Sequence, residues 1–203
     1  IINELIRGID PDKIGHASVT GQRDLVLGIV KHIKNKKTIL SERNVYECKE
    51  LHSLKAHITG EMLLADMNDI ETLSRMSFQF QKEEYGDRFE KTIDEMRNEV
   101  VIPAIKKQNL HKWVDQGAIK SIVQVSTSDN DAPTIMHFFT DENVRGQGYG
   151  YALAWHATKT VLADYESCGL VTKRNYIPSN KVFQNVGYEK VYDWIKVIVE
   201  PTD

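Results

Sequence analysis

The feature that most constrains this chain is the stretch Phe138-Phe139-Thr140-Asp141-Glu142-Asn143-Val144-Arg145-Gly146-Gln147-Gly148-Tyr149-Gly150. Residues 134–140 are apolar, aromatic or β-branched, which predicts a buried strand. A short polar loop follows. Beyond it, Leu153, Ala157 and Val161 recur at four-residue spacing, which predicts a helix beginning near Gly148. Glycines at 146, 148 and 150 are expected to permit positive φ and to let a ligand approach the backbone where no Cβ intervenes. The free N–H groups and positive dipole end of the helix favour an anion there, and Arg145 adds a fixed charge. Together they read as a pyrophosphate seat. Other phosphate loops fit less well. A dinucleotide fingerprint would need a third glycine where Tyr151 or Leu153 stands, and no Gly-Lys-Ser/Thr occurs. Taken alone, the motif is also compatible with a glycine turn that holds no ligand.

The rest of the chain supplies the surroundings of that turn. Residues 1–57 are expected to form a small, mostly helical N-terminal segment without evident chemistry. An apolar stripe at Leu25, Ile29 and Ile33, widened by Val26 and Val30, predicts a helix from about Thr20, and a short strand is expected at 38–40. The first residue is Ile, so this segment could belong to a truncated larger region. From residue 58 the predicted order is a strand at 58–65, a helix from the cap Asp66 to about 85, and a second helix at 89–107 bent or ended by Pro103. Strands follow at 111–114, 118–126 and 134–140, with a turn at 128–131. After the glycine turn and its helix come a strand at 169–173, a helix at 178–185 closed by Gly187, and one or two strands over 188–200. A strand hairpin followed by βαβ implies an α/β domain over 58–203, with a mixed central sheet and helices on both faces.

Composition narrows the partners. With 26 Lys and Arg against 29 Asp and Glu, net charge is −3, so no broad basic field exists to hold nucleic acid. Trp113, Trp155 and Trp194 are too scattered to stack bases. Cys48 and Cys168 match no zinc or redox spacing, which argues for a reducing, cytoplasmic setting and no metal. No apolar run reaches the ~20 residues a membrane span needs.

Two stretches bear a specific resemblance. Arg145, Gly148 and Gly150 meet the Q/R-x-x-G-x-G/A signature of the GNAT superfamily of N-acetyltransferases, and four residues separate Thr140 from Arg145-Gly146, which is similar to that family's pattern. Downstream, Asn175-Tyr176-Ile177-Pro178-Ser179-Asn180-Lys181-Val182-Phe183-Gln184-Asn185-Val186-Gly187-Tyr188 resembles the family's second signature. The resemblance covers residues 58–203. It implies the GNAT fold, acetyl-CoA as co-substrate, and direct attack by a primary amine in a ternary complex. The acceptor would be a small-molecule or peptide amine, and a homodimer is one option. It further implies that the backbone at Phe138, Phe139 and Thr140 pairs with the pantetheine arm. Arg145, Gly146, Gln147, Gly148, Tyr149 and Gly150 would hold the pyrophosphate. Asn175 would hydrogen-bond the arm, and the helix carrying Ser179 and Phe183 would lie along it.

The sequence departs from that pattern at two points. Many relatives carry a tyrosine that protonates the leaving thiolate; here the position is Phe183, and the Asn175–Ser179 spacing is one residue longer than usual. Tyr176 is a substitute donor to weigh against simple packing. Candidate general bases are Glu142, His137 and the Glu83-Glu84 pair, each with an ordinary structural role as its alternative, so no catalytic residue is assigned. Two other readings follow: a non-catalytic acyl-CoA-binding or sensor module, suggested by Phe183, and an interaction protein whose glycine turn is only structural.

Overall fold

Eight strands and six α-helices make up the fold among residues 17–55, 57–128 and 131–200, the residues described by the computed structural model. In chain order they are β1 (Ala17–Gln22), α1 (Arg23–Val30), β2 (Lys37–Cys48), β3 (Glu61–Leu64), α2 (Ile70–Tyr85), α3 (Ile93–Met96), α4 (Ile102–Lys106), β4 (Leu110–Asp115), β5 (Ala118–Ser128), β6 (Asp131–Thr140), α5 (Tyr149–Leu162), β7 (Cys168–Lys173), α6 (Ile177–Val186) and β8 (Glu189–Val199). The strands are ordered β1-β8-β2-β7-β6-β5-β4-β3. The sheet is mixed: β6 and β7 run parallel, while β1/β8, β3/β4, β4/β5 and β5/β6 are antiparallel.

Contacts divide the chain into two compact units. The first comprises residues up to 46, Val171–Asn180 and the chain from Lys190. In it Val26 and Val30 of α1, with Ile33, pack on Ile195, Val197 and Val199 of β8. β1 pairs with β8 from Ala17↔Val199 to Gln22↔Trp194. The helix expected from Thr20 therefore begins three residues later: Thr20 is a strand residue opposite Lys196. Of the expected stripe Val26, Val30 and Ile33 are buried, while Leu25 and Ile29 are half-buried. The strand expected at 38–40 is a twelve-residue element, Lys37–Cys48. Residues 17–48 thus hold more strand than helix. The contacts join 17–46 to later segments and do not break at 57/58.

The second unit comprises Glu47–Leu170 and Lys181–Glu189. Leu73 and Met76 of α2, with Val101, Ala104 and Ile105, pack on Leu110, Ile122 and Phe139, covering one face of β4–β6. Burying each such large side chain contributes about 1.5–3 kcal/mol. Side chains alternate along a strand, so Thr140 and its partner Ser121 face the other way. There they meet α5, whose Gly150 lies against Thr140. Helices on both faces follow from this alternation.

Local signals explain the helix starts. Asp66 accepts from the Asn68 amide at 2.8 Å, and Asp69 accepts from the Asp66 amide at 2.8 Å, a capping box leading into α2. Thr92 and Glu95 form a second box, so the helix expected from 89 starts at Ile93. Between α3 and α4 the chain takes a π turn, Arg97–Val101, just ahead of Pro103. Pro103 has no N–H to give the preceding turn, and widening that turn accommodates the missing bond.

Candidate functional site

The site is built on β6. Ser121↔Thr140 and Ile122↔Phe139 are in register with β5, but the next pair is Gln124↔Met136. His137 and Phe138 therefore stand opposite Val123 alone, a β-bulge. His137 absorbs the extra residue at φ +50°. On its other edge β6 is registered in parallel with β7 at Thr134↔Gly169 and Ile135↔Leu170. Residues 136–140 have their registered strand partner on the β5 side.

The loop after β6 is held in place by its own backbone. The Asp141 amide donates to the Lys120 carbonyl at 3.0 Å, and the Asp141 carboxylate accepts from the Asn143 amide at 2.9 Å. A 3₁₀ turn, Glu142–Val144, follows, then Gly146 at φ +80° and Gly148 at φ +90°. Gly148 is the left-handed N-cap of α5 and offers no side-chain acceptor. The first amides of a fourteen-residue helix are thereby left to an external acceptor. A side chain at Gly148 would also meet Ile58 Cδ1 at 2.6 Å.

Gly150 corrects the expectation of three positive-φ glycines. It is a helical residue, and its φ is not positive. A Cβ there would stand 2.6 Å from Thr140 Oγ1 and 3.1 Å from Phe138 Cζ. Its role is to let α5 approach β6.

Arg145 reaches away from its loop. Its Nη2 donates to Glu83 Oε1 at 2.7 Å, its Nε donates to the Thr140 carbonyl at 3.0 Å, and its guanidinium lies 5.1 Å from the centre of the Phe139 ring. Tyr149 is buried, and its hydroxyl donates to Asp115 Oδ2 at 2.8 Å. The bond to Asp115 holds the phenol above its ordinary pKa. Gln147 is exposed. Phe183 is buried, with its ring 5.0 Å from Phe138 and 5.5 Å from Tyr188. Thus Phe138, Phe139, Thr140, the residues of 145–150 and Phe183 gather in one unit.

Asn175 and Ser179 belong to the other unit. There Asn180 is a buried hub. It accepts from Asn44 Nδ2 at 3.1 Å, the Tyr46 hydroxyl at 3.2 Å and the Thr172 hydroxyl at 2.6 Å. It donates to the carbonyls of Lys173, Arg174 and Tyr176. Those bonds fix the turn in which Asn175 is exposed and which opens α6, where Ser179 is half-buried. Tyr176 is also exposed.

Of the candidate bases, His137 has its Nε2 buried with no hydrogen-bond partner among the described residues, and its ring lies 4.6 Å from Phe80. Burial pushes its pKa down to about 4, so it is neutral near pH 7 and a weak proton acceptor. Glu83 is the partner of Arg145. Glu142 is exposed at the start of the 3₁₀ turn, and Glu84 is half-buried at the end of α2. The Arg145–Glu83 and Tyr149–Asp115 contacts join residues 62 and 34 positions apart, a separation at which no local pattern could reveal them. Among the described residues no group of three His, Cys, Asp or Glu is placed to hold a metal, and no helix is long and apolar enough to cross a membrane.

No family model and no curated protein matches the sequence. Solved structures do match the fold. An acetyltransferase of the GNAT family from Colwellia psychrerythraea superposes with a TM-score of 0.67 at 14% identity, over 92% of this chain and 65% of that one. A GCN5-related N-acetyltransferase from Sphaerobacter thermophilus gives 0.63 at 12% identity, over 99% and 64%. Another from Kribbella flavida gives 0.60 at 14%, over 99% and 74%. This chain spans about two thirds of the length of the first two.

Proposed function

We propose that this chain, which has the fold of the GNAT acetyltransferases, is an acyltransferase that takes an acetyl group from acetyl-CoA and gives it to a primary amine. The observation that carries the proposal is the edge of β6 away from β5, running past the His137–Phe138 bulge directly into the uncapped N-terminus of α5. The edge suits the amide-bearing pantetheine arm, and the helix start suits the pyrophosphate. Gly146 faces open space, so an anion can approach that backbone closely. Bound acetyl-CoA would supply an activated thioester open to direct attack by an amine.

The chain's own part is to bind and orient. The amides from Arg145 to Gly150 hold the phosphates, and residues 136–140 hold the arm. Phe138 and Phe183 form an apolar wall on the α5 face. The bulge at His137–Phe138 turns local N–H groups out of the β5 ladder, where one can meet the thioester carbonyl. The contacts expected of Asn175 and Ser179 rest on the second signature alone. Phe183 has no proton to donate, so the departing thiolate, a good leaving group, departs without acid help from that position.

A panel of primary amines, small and peptidic, assayed for acetyl-CoA-dependent release of free thiol, tests the proposal. Turnover with at least one amine class supports it. A second reading, a non-catalytic acyl-CoA-binding module, is favoured by Phe183. Tight cofactor binding without turnover across the panel would support that reading instead.

A further inference from the structure

Arg145 has the charge and the loop position of a phosphate ligand, yet its side chain is committed elsewhere. Its three contacts come from two elements: Glu83 near the end of α2, and the Thr140 carbonyl and Phe139 ring at the end of β6. Phe139 belongs to the core cluster shared with Leu73 and Met76 of α2. The guanidinium therefore lies on the α2 face, whereas the glycine amides cap α5 on the opposite face. Each contact alone would be weak, because a pair as exposed as Arg145 and Glu83 gains little from charge. A planar fork fixed at once by a carboxylate, a carbonyl and a ring loses little further freedom, and it ties α2 to the first residue of the glycine loop.

We propose that Glu83 and Arg145 form a clasp that sets the phosphate loop, with Glu83 a positioning residue for cofactor binding and Arg145 acting through it. The inference rests on the proposed use of acetyl-CoA, but its structural half does not. A direct phosphate-ligand role for Arg145 predicts the opposite sign. In that case Glu83 competes with the incoming anion, and removing its charge tightens binding.

The test uses the full chain, with coenzyme A as the probe, on wild type, Glu83→Gln, Arg145→Ala and the double variant, alongside amide hydrogen exchange without cofactor. Glu83→Gln is expected to weaken coenzyme A binding by about three- to ten-fold, with the double variant no weaker than the weaker single variant, as coupled residues behave. Exchange at residues 142–148 is expected to quicken in both single variants while the melting temperature stays within about 2 °C of wild type. Tighter or unchanged binding in Glu83→Gln, or additive losses in the double variant, would overturn the clasp. So would loop exchange unchanged in Glu83→Gln. Quickened loop exchange in a protein that does not bind coenzyme A would uphold the clasp and defeat the proposed function.

Discussion

Thr140 and Gly150 touch across the boundary between β6 and α5: a Cβ at position 150 would lie 2.6 Å from Thr140 Oγ1. Thr140 cannot swing away freely, because its hydroxyl accepts from Ser121 Oγ at 2.9 Å. Gly150→Ala must push α5 off the strand. Overpacking of this kind costs about 1–3 kcal/mol, which thermal or urea unfolding would register. Cofactor affinity should fall with it, since the helix start proposed to hold the phosphates moves.

His137 predicts an acid-side loss of stability. Its pKa in the folded protein is about 4, against 6.5 ordinarily. Between those values the unfolded chain binds the proton and the folded chain does not, so stability is fully present above about 6.5 and is lost as pH falls toward 4. Unfolding free energies measured across that window should fall more steeply for wild type than for His137→Phe. Equal slopes would remove His137 from the account.

Lys112 is nearly buried and pairs with Asp69, with Asp66 at 3.4 Å. Asp69→Asn keeps an acceptor for the Asp66 amide but takes away the closer charge. Stranding a buried cation costs roughly 3–5 kcal/mol at worst; Asp66 remains, so a loss of about 2 kcal/mol is expected. Denaturant unfolding of Asp69→Asn beside Lys112→Met separates the charge effect from packing, with Lys112→Met the less damaged of the two.

Phe183 carries no proton, so its replacement should look like a packing change. Phe183→Leu is expected to alter kcat by less than about ten-fold, well short of the ~10²–10⁴ that follows loss of a general acid. Steady-state kinetics on the best acceptor would show the difference.

Much of the chain from α2 onward was legible from the sequence itself. α2, β4 to β6, α5, β7 and α6 all lie within a few residues of the expected places, because capping residues, alternation and glycine punctuation mark them. The first unit was harder. Asn44 sits buried on β2 because Asn180, 136 residues away, satisfies it, and a polar residue at a core position hides a strand. Tyr46, two positions on, makes the same long-range bond. The bulge was invisible because His137, not a glycine, adopts the positive φ. The glycine loop was legible as a strand-to-helix turn, but the distinct role of Gly150 was not, since a close helix–strand approach and a close ligand approach ask for the same residue.

The central claim is that the edge of β6 and the start of α5 form a seat for coenzyme A. Isothermal titration of the folded protein with acetyl-CoA and with coenzyme A tests it most directly, at low and at moderate salt. The account predicts saturable binding of both ligands, weakening as salt rises because phosphate charge is being met. A folded protein that binds neither would contradict it.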